Sequence, residues 1–373
     1  MGRKEFDVSE LDIIDYRKCG AMAIFKPLFG GNVPPEPVYN TPITPKENWK
    51  LAAAGKKPYW IPRGGWGFCD INVFRPRIHP DSVVTHIICD GEEDYPYTSN
   101  TMTSGWFGLD WVFVPHVGGA TVKPGNPKVL DASCWEKYVS LPDLDDMDFA
   151  DCGEKNREFL NTPKMNQLGI LSGFWERLMS LMDVEGAAVA LIDEEQKAGV
   201  HRLFDALCNL YDEYIDRMVK HCDIDCVLVH DDWGTQNGPF FSLDTCMEMI
   251  APYLKRMVES AHKRGLLFEL HSCGKMEKLV PAILEADVDI WCPQSINDFD
   301  SLVETYKDET LIFGKQGIEV PQGLGDEEYR QLGRDWAAKY IDYHVCTATR
   351  GIPEAFTQGV YEYSRKAYQD AED

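Results

Sequence analysis

The stretch FELHSCG, residues 268–274, decides the fold. The apolar run 266–270 is typical of a buried parallel strand, and a helix is predicted to begin near Met276. His271 and Cys273 point to the same side, because side chains alternate along an extended chain. An imidazole and a thiolate so placed are two of the ligands of a zinc site with an open position. The alternative is a buried histidine beside an ordinary core cysteine.

Strands and helices alternate from residue 226 onward. Five strand–helix units in succession imply right-handed crossovers and a parallel sheet. In a chain of 373 residues the favoured closure is an α/β (β/α)8 TIM barrel. An open doubly wound sheet is the competitor, but no G-x-G-x-x-G follows a predicted strand. The predicted strands are 226–230, 266–271, 289–292, 311–313 and 341–346, and the predicted helices are 243–264, 276–286, 298–306, 326–339 and 353–369.

The front of the chain is less regular. Residues 1–57 are rich in proline and are predicted to form an irregular N-terminal arm. The barrel domain is then 58–373, with an aromatic-rich insertion at 66–151 near the barrel mouth, where it is either a cap or a plain subdomain. A β-hairpin is predicted within the insertion at 111–122, and a short strand at 167–171 precedes helices at 174–182 and 194–221.

The overall charge is strongly negative. The 37 basic and 61 acidic residues give a net charge of −24, which disfavours nucleic acid and anionic membranes as partners. No apolar run approaches the roughly 18 residues of a membrane span, and the charged start is unlike a signal peptide. The 12 cysteines lack the spacing of a disulfide framework. We therefore expect a cytoplasmic protein with reduced thiols.

Polar side chains follow the predicted strands. In a barrel the functional site lies at the carboxyl ends of the strands, so these groups are expected to meet there. His271 and Cys273 are the predicted metal ligands, and Cys346 is the predicted third ligand, with a core cysteine as the alternative. Cys292 and Glu269 are reserve ligands.

Two carboxylates follow the strand at 226–230. Asp231 and Asp232 are predicted to act in catalysis, by orienting an imidazole or contacting the substrate, although either could cap a helix. His230 is grouped with them, with a structural role as its alternative. The weaker candidates for substrate contact share only their place at strand ends or near the barrel mouth, and they are Trp66, Trp233, Gln294 and Lys315.

Several motifs resemble a known family. The segments DDWGTQ (231–236), HSCG (271–274) and GIP (351–353) resemble the uroporphyrinogen decarboxylase superfamily, in its cobamide-dependent methyltransferase branch. The segments FRPRIHPD (74–81) and GGATVKPGNP (118–127) are similar to the subgroup found in anaerobic O-demethylase operons.

The resemblance implies a TIM barrel and a zinc ion held by His-x-Cys and a later cysteine. The first two ligands correspond to His271 and Cys273. The third does not align, because Arg350 directly precedes the GIP segment and Cys346 lies four positions before it. The arginine-rich signature of the decarboxylases is absent from the segment that follows residue 62, which disfavours porphyrinogen decarboxylation.

The expected function is transfer of a methyl group from a methoxylated aromatic (a phenyl methyl ether) to the Co(I) corrinoid of a partner protein, with zinc as Lewis acid. The corrinoid must come from the partner, since the chain has no D-x-H-x-x-G segment for binding a free cobamide. The enzymatic alternatives are a methylcobamide:thiol methyltransferase and a decarboxylase-like enzyme. The non-enzymatic alternative is a barrel that binds a small aromatic molecule. The sequence is compatible with a homo-oligomer.

Overall fold

The structure is a computed structural model. It describes residues 3–17, 35–64, 70–81, 87–92, 101–103, 106–114, 119–348 and 351–371. Trp66 and Arg350, which are named above, lie outside these ranges.

The N-terminal arm contains more regular structure than its proline content predicts. Strands β1 (Ile13–Arg17) and β2 (Glu36–Tyr39) form an antiparallel pair, and helix α1 (Pro45–Ala53) follows. The helix begins with a capping box, in which Thr44 and Glu47 each accept the backbone N–H of the other. The proline that opens α1 fits there, because the first helical N–H has no partner within the helix.

The remaining strands belong to two sheets. In chain order they are β3 (Ile71–Phe74), β4 (Thr101–Thr103), β5 (Asp110–Val114), β6 (Gly119–Val122), β7 (Met165–Ile170), β8 (Cys226–His230), β9 (Leu267–His271), β10 (Ile290–Trp291), β11 (Ile312–Lys315) and β12 (Val345–Thr347).

The α-helices after the arm lie between and after these strands. They are α2 (Phe149–Leu160), α3 (Phe174–Ala190), α4 (Lys197–His221), α5 (Leu243–Met249), α6 (Ala251–His262), α7 (Val280–Glu285), α8 (Phe299–Thr305), α9 (Asp326–Tyr340) and α10 (Glu354–Ala367).

The main sheet is parallel throughout and has seven strands in the described part of the chain, in the order β12-β11-β10-β9-β8-β7-β3. It curls, because Arg63, which precedes β3 at one edge, forms a β-bridge to Thr347 of β12 at the other edge. A single bridge thus stands where an eighth strand is predicted. The architecture is TIM-barrel-like, and the predicted fold class is confirmed.

One face of each main-sheet strand is turned to the interior and the other to the helices. Ile71, Met165, Cys226, Ile290 and Ile312 form a buried interior cluster. Helix α1 contributes Trp49 and Ala52 to this cluster, and it therefore closes the end of the sheet at which the strands begin. The carboxyl ends lie at the opposite end.

Each predicted helix has a counterpart in the structure, although the boundaries differ and helices α1 and α2 are not predicted. The predicted helix 243–264 is divided into α5 and α6 next to Pro252, whose ring cannot continue a helix without loss of a hydrogen bond. The predicted helix 276–286 begins with a short 3-10 turn at Glu277–Leu279 before α7. Among the described residues, no helix combines the length and the apolar character that crossing a bilayer requires.

The interval 66–151 contains a strand of the main sheet as well as an inserted unit. Strand β3 pairs with β7 in the main sheet. Strands β4, β5 and β6 form a separate antiparallel sheet, in which β5 and β6 are the predicted hairpin. This unit packs on α3, where the Arg177 guanidinium lies 3.9 Å from the centroid of the Phe107 ring.

Candidate metal centre

Three potential metal ligands converge at the carboxyl edge of the main sheet. One ligand atom each from Asp232, His271 and Cys273 lies within 4.8 Å of the others. The Nε2 atom of His271 is 3.4 Å from the Cys273 sulfur and 3.9 Å from Oδ1 of Asp232. All three residues are half-buried. Within the described ranges, this is the one cluster of three such groups.

The cluster forms because two loops are in direct backbone contact. Cys273 follows β9 and Asp232 follows β8, its neighbour in the sheet. The chain turns after Cys273 at Gly274, whose φ is +91°. A Cβ atom on Gly274 would lie 2.2 Å from the carbonyl carbon of Gly234, so only glycine fits. With the loops in contact, the backbone N–H of Cys273 donates to Oδ1 of Asp232 at 2.7 Å.

Gln294 fixes the thiol of Cys273. Its Oε1 accepts from the N–H of Gly274 at 2.8 Å, and its Nε2 donates to the Cys273 sulfur at 3.1 Å. A hydrogen bond donated to sulfur favours the thiolate. Burial nevertheless raises the pKa of the Cys273 thiol, and the negative charges of Asp232 and Glu176 raise it further. A cation at the cluster would offset both effects.

His230 lies beside the cluster, opposite His271 in the β8–β9 register. The centroids of the two imidazole rings are 4.5 Å apart. The Nη2 atom of Arg75 is 2.6 Å from Nε2 of His230, so this ring nitrogen accepts from the guanidinium. Arg75 is fully buried, and the closeness of its side chain leaves no room for a Cβ atom on Gly169. Arg75 and His230 thus form one wall of the site.

Asp231 is turned away from the cluster and caps α3. Its carboxylate accepts the backbone N–H groups of Phe174, Trp175 and Glu176 and the indole N–H of Trp233. Burial raises the pKa of Asp231 to about 6, while these hydrogen bonds act in the opposite direction. Trp233 is fully buried and serves as one of the four donors. The neighbours Asp231 and Asp232 therefore face different parts of the molecule.

Glu176 is a candidate functional residue that the sequence patterns do not reveal. It lies in the first turn of α3 and is half-buried. Burial raises the pKa of Glu176 well above its usual value, and the charges of Asp232 and Asp231 add to the shift. An acidic residue in the first turn of a helix is ordinarily explained by the helix dipole, so no specific signal in the sequence distinguishes it.

The remaining predicted residues occupy other places. The ammonium group of Lys315 lies 4.5 Å from the centroid of the Phe299 ring of α8, in the helix layer, and burial lowers the pKa of Lys315. Cys346 is fully buried in the interior cluster. Cys292 belongs to the same cluster, and its thiol occupies the space left by the absence of a side chain at Gly314. The metal role of Cys346 stays a prediction, and the structure brings Asp232 to His271 and Cys273 instead.

Glu269, a reserve ligand, also belongs to the interior. Its Oε2 accepts from Nε2 of Gln167 at 2.6 Å. Burial raises the pKa of Glu269 to about 7. The interior beneath the metal cluster therefore contains the carboxyl group of Glu269 and the thiols of Cys226, Cys292 and Cys346 in addition to apolar residues.

Comparison with known proteins agrees with this architecture. Residues 156–318 match the family model described as uroporphyrinogen decarboxylase (URO-D), and this range includes the whole Asp232–His271–Cys273 cluster. No curated protein matches the chain. Among solved structures, a methyltransferase from Methanosarcina mazei is similar at a TM-score of 0.55 and 12% identity, with 87% of this chain and 99% of that one covered.

A second solved structure is a sugar phosphate isomerase/epimerase from Parabacteroides distasonis, at a TM-score of 0.26 and 11% identity, with 45% of this chain and 68% of that one covered. At 12% identity, the likeness to the methyltransferase concerns the fold. The family model over residues 156–318 and this fold together confirm the resemblance to the uroporphyrinogen decarboxylase superfamily that the sequence motifs indicate.

Proposed function

We propose that the chain is a methyltransferase that moves a methyl group from a methoxylated aromatic to the Co(I) corrinoid of a partner protein. The observation that carries the proposal is the cluster of Asp232, His271 and Cys273 at the carboxyl edge of the sheet. An aryl oxide is a poor leaving group, so the cleavage of its ether requires an electrophile at the oxygen. The similarity in fold to a methyltransferase supports the same chemistry.

The donor set suits zinc. Imidazole nitrogen, thiolate sulfur and carboxylate oxygen are its three usual ligand types, and three protein ligands leave a position for substrate, as in catalytic zinc sites. Asp232, His271 and Cys273 would hold the ion, which when bound supplies a Lewis acid for the ether oxygen. The sequence prediction of Cys346 as third ligand is the alternative to Asp232.

The residues around the cluster have separate tasks in this proposal. Gln294 orients the Cys273 sulfur, as a hydrogen-bonded neighbour of a metal ligand commonly does. Arg75 fixes the ring of His230 beside His271. Glu176 lies near Asp232, and its raised pKa suits it to give a proton to the departing aryl oxide. The products are then a phenol and methyl-Co(III).

The corrinoid would be supplied by a second protein that docks at the barrel mouth. The carboxyl ends of the main-sheet strands form this mouth, and they carry the metal cluster. The strongly negative chain, with its charge of −24, would favour a partner with a basic face.

The proposed reaction can be followed directly by the cobalt spectrum. Zinc-loaded protein is mixed with a Co(I) corrinoid protein and a panel of methoxyarenes, and methyl-Co(III) should accumulate with an equivalent amount of phenol. Absence of methyl-Co(III) with every methoxyarene would refute the proposal. Formation of a methylated thiol from methylcobalamin in the same preparation would favour the thiol methyltransferase instead.

Metal content identifies the ligands independently of activity. We expect Cys273→Ala and His271→Ala to lose bound zinc. The variants Asp232→Ala and Cys346→Ala show which residue is the third ligand. We expect Asp232→Ala to lose bound zinc, because Asp232 lies at the cluster and Cys346 lies in the interior. Retention of zinc by Asp232→Ala together with its loss in Cys346→Ala would show that the sequence prediction, and not the observed cluster, defines the site.

A further inference from the structure

A second chemically reactive feature lies away from the metal cluster, where α2 packs on the C-terminal end of α4. The contact is made through Gly153. A Cβ atom at this position would lie 2.2 Å from the carbonyl oxygen of His221. The backbones of the two helices are thus in contact, and the residues next to Gly153 and His221 are held close to each other.

Those adjoining residues are both cysteines. Cys152 precedes Gly153 in α2, and Cys222 is the residue that ends α4, where its N–H donates to the Met218 carbonyl. The Gly153–His221 contact places the two side chains next to each other, and each thiol shifts the pKa of the other. Both are free cysteines, 8% and 6% exposed, and neither touches the groups of the metal cluster.

The pair is reachable from solvent on one side. Cys222 lines a surface pocket of about 890 Å³ together with Lys155, Arg157 and Lys220. Cys152 lies behind it, against Asn156, whose Nδ2 is 3.9 Å from the Cys152 sulfur. The neighbouring Cys152 thiol lowers the pKa of Cys222, whereas the Cys222 thiol and burial raise the pKa of Cys152. The accessible thiol is therefore also the better nucleophile.

We propose that Cys152 and Cys222 form a dithiol–disulfide site that reacts with low-molecular-weight disulfides. The Cys222 thiolate attacks one sulfur of the small disulfide, forms a mixed disulfide and releases one thiolate. Cys152 then gives its proton to that thiolate and attacks the Cys222 sulfur, which forms the Cys152–Cys222 bond and releases the second thiolate, to be protonated by water. Two protein thiols are oxidised and one external disulfide is reduced. The disulfide joins α2 to the end of α4.

The site is tested with oxidised glutathione as the probe. Native protein is incubated with it anaerobically, alkylated and mapped peptide by peptide by mass spectrometry. The wild type should yield one cross-linked peptide pair that contains Cys152 and Cys222, with no glutathione on either residue. Cys152→Ser should keep a glutathione adduct on Cys222, because the resolving thiol is missing. Cys222→Ser should leave Cys152 unmodified.

Two controls belong to the same experiment. Cys208→Ser removes a cysteine of α4 that is 5% exposed, and it should give the wild-type cross-link. The thiol pair Cys292 and Cys346 should stay reduced, since both lie in the interior, at 5% and 0% exposure. A persistent adduct on wild-type Cys222, or unmodified Cys152 and Cys222, would overturn the proposal. None of these readouts depends on methyl transfer, so the test is independent of the proposed function.

Discussion

Asp231 and Asp232 are adjacent in the chain, yet one stabilises a helix end and the other faces the metal cluster. Asp231→Ala should destabilise the fold, because three backbone N–H groups of α3 and the Trp233 indole lose a buried acceptor. We expect a loss of roughly 3 kcal/mol in the free energy of unfolding, measured by chemical denaturation. The matched control Asp298→Ala removes an exposed cap with one backbone donor and should cost about 1 kcal/mol. Equal effects of the two changes would contradict the assignment.

His262 makes stability depend on pH near neutrality. Its Nε2 is 2.8 Å from Oδ2 of Asp289, and this hydrogen bond raises the pKa of His262 above its usual 6.5. A raised histidine pKa contributes stability that is complete below pH 6.5 and is lost as pH rises through the folded-state pKa. Since the histidine is partly exposed, the effect should remain below about 1 kcal/mol. The free energy of unfolding should fall less between pH 6 and pH 8 in His262→Gln than in the wild type, because the His262–Asp289 contribution is missing. An unchanged difference would exclude His262 as its source.

Between secondary-structure elements, the contact of the loops after β8 and β9 assembles the metal cluster. Gly274→Ala would place a methyl group against the Gly234 backbone in a left-handed conformation, so the loops must separate. We expect a cost above about 2 kcal/mol and a marked loss of zinc affinity, measured by calorimetric titration of zinc and by thermal unfolding.

Gly323→Ala is the control for this change. Gly323 also has a positive φ, of +81°, but no atom lies within 4 Å of the position that its Cβ would take. The substitution should cost about 1 kcal/mol and leave zinc affinity intact. Equal zinc affinity in the two variants would show that the loop contact does not hold the ligands.

Across the molecule as a whole, a buried ion pair joins the two ends of the chain. Glu10 of the arm accepts two hydrogen bonds at 2.9 Å from Arg365 of α10 and one from Tyr361. Arg365 is fully buried. Glu10→Ala should therefore destabilise the protein by roughly 3 kcal/mol or more, measured by chemical denaturation, because it leaves a guanidinium charge without its buried partner. The exposed pair of Glu194 and Lys197 provides the control, and Glu194→Ala should leave the denaturation midpoint unchanged.

The sequence predicts the second half of the molecule better than the first, for physical reasons. From β8 onward, the buried parallel strands are largely apolar runs, and helices separate each one from the next. Strand β3 is short and includes Asn72, whose buried amide donates to Asn166 of the neighbouring strand β7 and to the Phe159 carbonyl. Helix α1 is not predicted because prolines dominate the arm, although the Thr44–Glu47 capping box is visible in the sequence.

The candidate site, too, is predicted from the sequence only in part. His271 and Cys273 can be paired from their spacing alone, because strand geometry relates them. Three further features depend on how the loops after three strands pack together. They are the contact of Asp232 with the cluster, the capping of α3 by Asp231 and the position of Glu176. Such relations follow from the packing of the loops and not from any local pattern.

The local origin of the metal cluster has a consequence for how the protein is made. All three proposed ligands come from the end of β9 and the loops after β8 and β9, and Asp232 and Cys273 are 41 positions apart. A growing chain that has left the ribosome as far as β10 already carries every donor. Under the proposed function, the metal ion would need neither β11 nor β12 in order to bind, and its binding could come before the sheet is complete.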